Sequence, residues 1–199
     1  MDRRPLNIAE PIRAFERTLR IIAAAMNEAL GPNAWWGLCG FREESLVMLL
    51  AETMRSLGWQ LEYEKSYEQS YQRGDIDAVF PEYLPEHLWI EAKWWWLPMW
   101  NLNRVLSVDE PKLRLKGPEY HTVEVVFTAD EIGKTEGRKC WTSEGAGDWM
   151  MECLREEHLE AKWRLLGFAT APSPYALICP AQRRVGLFSA HFFEYLGRD

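Results

Sequence analysis

Two short stretches decide how this chain reads: Gly74-Asp75-Ile76-Asp77-Ala78-Val79-Phe80-Pro81 and Leu88-Trp89-Ile90-Glu91-Ala92-Lys93-Trp94-Trp95. Each is too short and too β-rich for a helix, and each alternates in character, which predicts strands. In the first, Asp75, Asp77 and Val79 share one face, with Ile76, Ala78 and Phe80 on the other. In the second, Glu91 and Lys93 share a face opposite Ile90, Ala92 and Trp94. A strand flanked by this much Trp and Ile is expected to be covered. Charges on a covered strand are costly unless they meet something. Adjacent strands of this pattern bring carboxylates within reach of one cation.

Outward from these strands, Arg42 to Leu57 predicts a helix stopped by Gly58, with Leu46, Val47, Leu50, Met54 and Leu57 as its apolar stripe. At 100° per residue the stripe centres near about 40°, with Glu43 near about 60° and Glu44 near about 160°. Glu43 therefore faces inward towards the sheet, and Glu44 is left at the edge. Trp59 to Tyr67 alternates and predicts a further strand before the Asp-bearing one. A short helix is expected over Asp109–Lys116, capped by Asp109, followed by a β-branched strand over Thr122–Thr128. Residues 129–148 read as a loop, and Asp148 to Leu166 as a long helix with Met150, Leu154, His158, Ala161 and Leu165 inward. Tyr175–Cys179 and Val185–Phe188 read as two short strands. The first thirty residues form a helix in which Ile8, Ile12, Phe15, Leu19, Ile22, Met26 and Ala29 make a heptad-like seam. That seam can pair with a second copy or pack on its own domain.

The resulting order is α–α–β–β–β–α–β–α–β–β, an α/β protein with one core. Its 199 residues suit a single domain. There are 23 basic against 30 acidic side chains, for a net charge of −7, which excludes a protein that coats nucleic acid by bulk charge. It leaves room for an enzyme that touches nucleic acid locally. Four cysteines at irregular spacing, Cys39, Cys140, Cys153 and Cys179, fit a reducing cytoplasm. Cys140, Cys153 and His158 lack the paired spacing of a zinc site. No apolar run is long enough for a membrane helix, and no signal peptide is expected. Eleven Trp are present, four of them within Trp94–Trp100, which reads as core and interface, with base stacking as the functional alternative.

Glu43 on a helix, a strand carrying Asp77-Ala78-Val79-Phe80, and then Trp89-Ile90-Glu91-Ala92-Lys93 together resemble the PD-(D/E)xK superfamily of restriction-endonuclease-like nucleases. The order αβββαβ from Arg42 to Thr128 is also similar to that superfamily's core. Ile76 stands where the name-giving Pro would precede the Asp. The resemblance implies a mixed central sheet flanked by helices, with the catalytic core in residues 41–130. An N-terminal helix over 1–31 and a C-terminal helix and strands over 145–199 would be additions to it. It further implies that Asp77, Glu91 and the backbone carbonyl of Ala92 hold Mg²⁺ or Mn²⁺. Glu43 would serve a second metal or orient a water, and Lys93 would polarise the attacking water and neutralise developing charge. Glu44 and Asp75 are the alternates. The implied activity is metal-dependent phosphodiester hydrolysis, with DNA as substrate before RNA. The competing expectation is a nuclease-like module that no longer cuts and serves binding or assembly, through the N-terminal helix or the Trp94–Trp100 cluster. An accidental Glu-x-Lys in a small α/β protein is the third.

Overall fold

The computed structural model describes residues 6–30, 37–61, 78–80, 87–95, 101–116, 120–131, 143–176 and 183–197. Four helices and five strands follow in the order α1 (Ala9–Leu30), α2 (Glu43–Ser56), β1 (Ala78–Phe80), β2 (His87–Trp95), α3 (Leu102–Arg114), β3 (Tyr120–Glu131), α4 (Ser143–Glu156), β4 (Trp163–Ala176) and β5 (Arg183–Tyr195). A 3₁₀ turn over Leu38–Gly40 precedes α2.

The strands make one mixed sheet in the order β1-β2-β3-β5-β4. β2 and β3 run parallel, joined by α3 as the crossover that parallel strands require, while the remaining pairs are antiparallel. The β4–β5 hairpin continues the same sheet, because β5 pairs with β3. Helices cover both faces. α1 and α2 lie over Ile90, Ala92, Trp94, Val125 and Phe192, and α3 and α4 lie over Trp89, Trp95, Val126, Phe193 and Tyr195. The protein is therefore α/β with a mixed sheet flanked by helices.

The heptad-like seam of α1 is spent on its own domain. Ile12, Phe15, Leu19 and Ala23 are buried in the first core, and Phe15 meets Phe192 edge-to-face at 6.4 Å. Ala29, expected on the seam, is exposed. Close approach explains Gly167, which follows a bulge in β4: a Cβ there would stand 3.1 Å from Ile12 Cδ1. The self-paired helix allowed by the spacing is thus replaced by helix-on-sheet packing.

Several expected boundaries move. Trp59 to Leu61 are not in a strand, because Gly58 turns the chain at φ 89° and the Trp59 N–H bonds back to Met54 O at 3.2 Å, closing α2. The rest of the expected strand to Tyr67 lies outside the described residues. The helix expected at Asp109 begins seven residues earlier, at Leu102. Asn101 caps it by accepting from the Arg104 N–H at 3.0 Å, and the Glu157 carboxylate accepts from the N–H groups of Leu102 and Asn103 at 2.9 and 2.7 Å. Two caps and a buried stripe outweigh the penalty of Pro111 inside the helix, and Asp109 is a mid-helix residue instead of its cap.

The helix expected over 148–166 is α4, five residues earlier at its start and ten shorter at its end. His158, at φ 56°, and a Leu159 N–H bond to Leu154 O at 2.9 Å stop it. His158 is therefore a turn residue and not part of an inward stripe, and Leu165 belongs to β4. The expected loop over 129–148 is strand to Glu131 and helix from Ser143, with 132–142 outside the described residues. Of the two short C-terminal strands expected, Val185–Phe188 lies within β5 and Tyr175–Ala176 at the end of β4, both of them longer than expected, while residues 177–179 lie outside the described residues. β4 tolerates Pro172 and Pro174 because it is an outer strand of the sheet.

Candidate active site

β2 fulfils its alternation. Leu88, Ile90, Ala92 and Trp94 pack in the core beneath α1 and α2, so Glu91 and Lys93 stand with Trp89 and Trp95 on the α3 side. Glu91 is 1% exposed. Directly beside it in the parallel register lies Glu124 of β3, fully buried. Like charges on paired positions repel, so such a pair calls for cations.

α3 supplies one of them. Its inward stripe runs Leu102, Val105, Leu106, Asp109 and Leu113, so Asp109 occupies a core position and is 1% exposed. Lys112, one turn on, lies 2.9 Å from Asp109 Oδ1 and 3.3 Å from Glu91 Oε2. Lys93 lies 3.2 Å from Asp109 Oδ2 and 3.9 Å from Glu43 Oε1. An alternating chain of charge results, Glu91–Lys112–Asp109–Lys93–Glu43, linking β2, α3 and α2.

Glu43 reaches this chain from the first turn of α2. Among the described residues β1 pairs with Leu88–Ile90 of β2. Further along β2 the Trp94 N–H donates to Glu43 Oε2 at 2.7 Å, and Trp94 Nε1 donates to Phe41 O at 3.2 Å. The helix end is thereby tied to the strand. Glu44, the alternate, is exposed to solvent.

Charge states follow from these contacts. Burial alone would push the Lys93 ammonium down, but the charges of Asp109, Glu43 and Glu124 outweigh it and hold its pKa above the ordinary lysine value. Lys112 behaves likewise through Asp109 and Glu91. Both are ammonium ions here, so neither acts as a base in this state. Burial raises the Glu43 carboxyl above its usual range, against Lys93 and the Trp94 N–H, which favour its ionised form.

The donors are all carboxylate oxygens, the chemistry preferred by Mg²⁺ or Mn²⁺. Both Asp109 oxygens are buried and held by charge, since neither makes an aligned hydrogen bond. Among the described residues, Glu43, Glu91, Asp109 and Glu124 cluster about two ammonium groups, Lys93 and Lys112. Among the described residues, however, no three such side chains already stand as a ligand group. Asp77 and Asp75 lie outside the described residues. Ala92 is fully buried beneath its carbonyl's strand, its methyl on the apolar face.

Sequence reasoning missed Asp109, Lys112 and Glu124. The first two were hidden by the misplaced helix start. Glu124, set among β-branched residues in Thr122-Val123-Glu124-Val125-Val126, carried a legible signal: one charge in a strand otherwise fit for burial. Trp94 and Trp95 are core residues, Trp94 against Phe127 and Phe188, and Trp95 stacked on Trp149 at 5.3 Å. Trp96 and Trp100 lie outside the described residues, as does Cys140. No helix among the described residues is long and apolar enough to cross a membrane. Comparison with protein-family models, curated proteins and solved structures found no match.

Proposed function

We propose that this chain is a metal-dependent nuclease of PD-(D/E)xK type that hydrolyses phosphodiester bonds, in DNA by preference. The observation that carries the reading is the chain of ion pairs Glu43–Lys93–Asp109–Lys112–Glu91, with Glu43 also accepting from the Trp94 N–H, which joins the helix-borne acid to the Glu-x-Lys strand. The β2–α3–β3 parallel crossover agrees with the second half of the αβββαβ order.

Glu91, Asp77 and the Ala92 carbonyl would hold Mg²⁺ or Mn²⁺. The bound cation would supply Lewis acidity towards the phosphate and lower the pKa of water. The remaining work falls to the chain. Lys93, one-quarter exposed and cationic, offsets the negative charge that grows on the phosphate as water attacks and the P–O bond to the leaving nucleoside breaks. Glu43 orients that water from the helix end. Asp109 is a positioning residue that fixes the Lys93 ammonium from beneath.

Supercoiled plasmid, single-stranded DNA and RNA, each incubated with Mg²⁺, Mn²⁺ or EDTA, test the reading beside Lys93→Ala. Cation-dependent cleavage falling about 10²–10³-fold in the variant is expected, the size lost with one transition-state contact of this kind. Cleavage that persists in Lys93→Ala overturns the assignment. One observation favours the second reading, an inactive binding module: Lys112 already engages Glu91. Absence of cleavage together with a Tm raised by Mn²⁺ would establish it.

A further inference from the structure

We infer that Trp94 is a positioning residue for Glu43, fixing which carboxylate oxygen faces Lys93 and the attacking water; this rests on the nuclease reading above. Glu43 opens α2, and its own helix start gives it no hold: the N-cap residue, Arg42, is extended and makes no side-chain capping bond. Trp94 supplies that hold twice. Its backbone N–H donates to Glu43 Oε2 at 2.7 Å, and its indole N–H donates to the carbonyl of Phe41, two residues upstream of Glu43, at 3.2 Å. One residue therefore grips both the carboxylate and the backbone that carries it. The ring that makes the second grip is itself fixed, since it is 7% exposed and packs against Phe127 and Phe188 at 6.0 and 5.8 Å.

Consecutive residues of β2 point to opposite faces, so Trp94 packs in the core beneath α1 and α2 while Lys93 meets Asp109 of α3. Glu43 stands between them, with Oε2 on the Trp94 N–H and Oε1 3.9 Å from Lys93 Nζ. Oε2 is thus the anchor, and Oε1 is the oxygen turned towards the ammonium and the water that Glu43 orients. Catalytic geometry tolerates little displacement, a shift of about 1 Å costing up to about 10²-fold in rate. The indole bond therefore acts on rate through Glu43 and not through contact with substrate.

Cleavage of supercoiled plasmid by the full chain at saturating Mg²⁺, read as kcat and KM, tests the assignment. Trp94→benzothienylalanine exchanges the indole N–H for sulfur in a ring of nearly the same shape, and Trp94→Phe removes the same donor with a smaller ring. Either is expected to lower kcat about fivefold to tenfold, with KM changed by less than about twofold. In a Glu43→Gln background the same exchange should cost less than about twofold, because a residue that acts through Glu43 has nothing left to position. Trp163→benzothienylalanine alters another buried indole on β4, three strands from β2, and should leave kcat within about twofold. Unchanged kcat in Trp94→benzothienylalanine, an equal fall with and without Glu43→Gln, or an equal fall in Trp163→benzothienylalanine overturns the inference and leaves the nuclease reading standing. Absence of cleavage by the unaltered chain overturns the two together.

Discussion

Glu194 and Glu91 are both almost without solvent contact, 2% and 1% exposed, and strand alternation sets them on opposite faces of one sheet. Glu194 is closed on both sides: His121 Nδ1 meets Oε1 at 2.8 Å, and the Arg164 guanidinium donates to Oε2, with Nε at 3.0 Å. Burial tends to raise the Glu194 pKa, but those hydrogen bonds and charges prevail and hold it below the usual carboxylate range. Glu91 has acids for neighbours. It shares Lys112 with Asp109 and stands beside Glu124. The first group is a solved electrostatic problem, as a purely structural element should be. In the second, four carboxylates (Glu43, Glu91, Asp109 and Glu124) cluster about two ammonium groups among the described residues.

The largest effect that would break this contrast is on stability. Glu194→Gln keeps the shape but removes the charge that two bases share, and should lower stability by about 3 kcal/mol in denaturant unfolding. Glu91→Gln relieves repulsion as it weakens one ion pair, so the stability of the protein should change by less than about 1 kcal/mol. Equal losses in the two variants would remove the distinction between the groups.

Acid should then probe the α3 side of the sheet. His191 is fully buried beside Ser189 (Nε2–Oγ 3.0 Å) and near the Phe168 ring, and burial pushes its pKa down to about 3. The nearest charge along its row is Lys93, beyond Val126. The unfolded chain binds this proton below about pH 6.5 and the folded chain does not until near pH 3. Stability from this residue is thus complete above about pH 6.5 and falls with pH through that window, by about 2 kcal/mol at pH 5. Glu194 acts in the same direction but below the ordinary carboxylate range, so His191→Gln should flatten the curve between pH 6.5 and 5.

Smaller effects sharpen the site itself. Asp109→Asn loosens the Lys93 ammonium without touching substrate and should lower kcat about tenfold, with KM unchanged. A rise in KM alone would assign Asp109 to binding. Glu44→Gln, on the exposed side of α2, should change stability by less than about 0.5 kcal/mol and leave cleavage unaltered. A large loss there would transfer the role assigned to Glu43.

Alternation in Leu88–Trp95 made the two faces of β2 legible, and helical arithmetic separated Glu43 from Glu44, because side-chain direction within one element depends on local geometry alone. Strand ends and helix starts were less legible. The Leu102 start of α3 depends on Glu157, which is fifty-five residues away in the chain, and β4 carries prolines because it lies at the edge of the sheet. Neither fact has a local signature.

What the amino-acid order determined by itself was the α/β class, the covered strand with its Glu-x-Lys, and the inward acid at the start of α2. Only the tertiary structure decided that Glu124 stands beside Glu91, that Asp109 and Lys112 descend on them from α3, and that α1 spends its seam on β4. The physical reason is range: periodicity is set by neighbours along the backbone, whereas the balance of buried charge depends on which distant elements the sheet brings together.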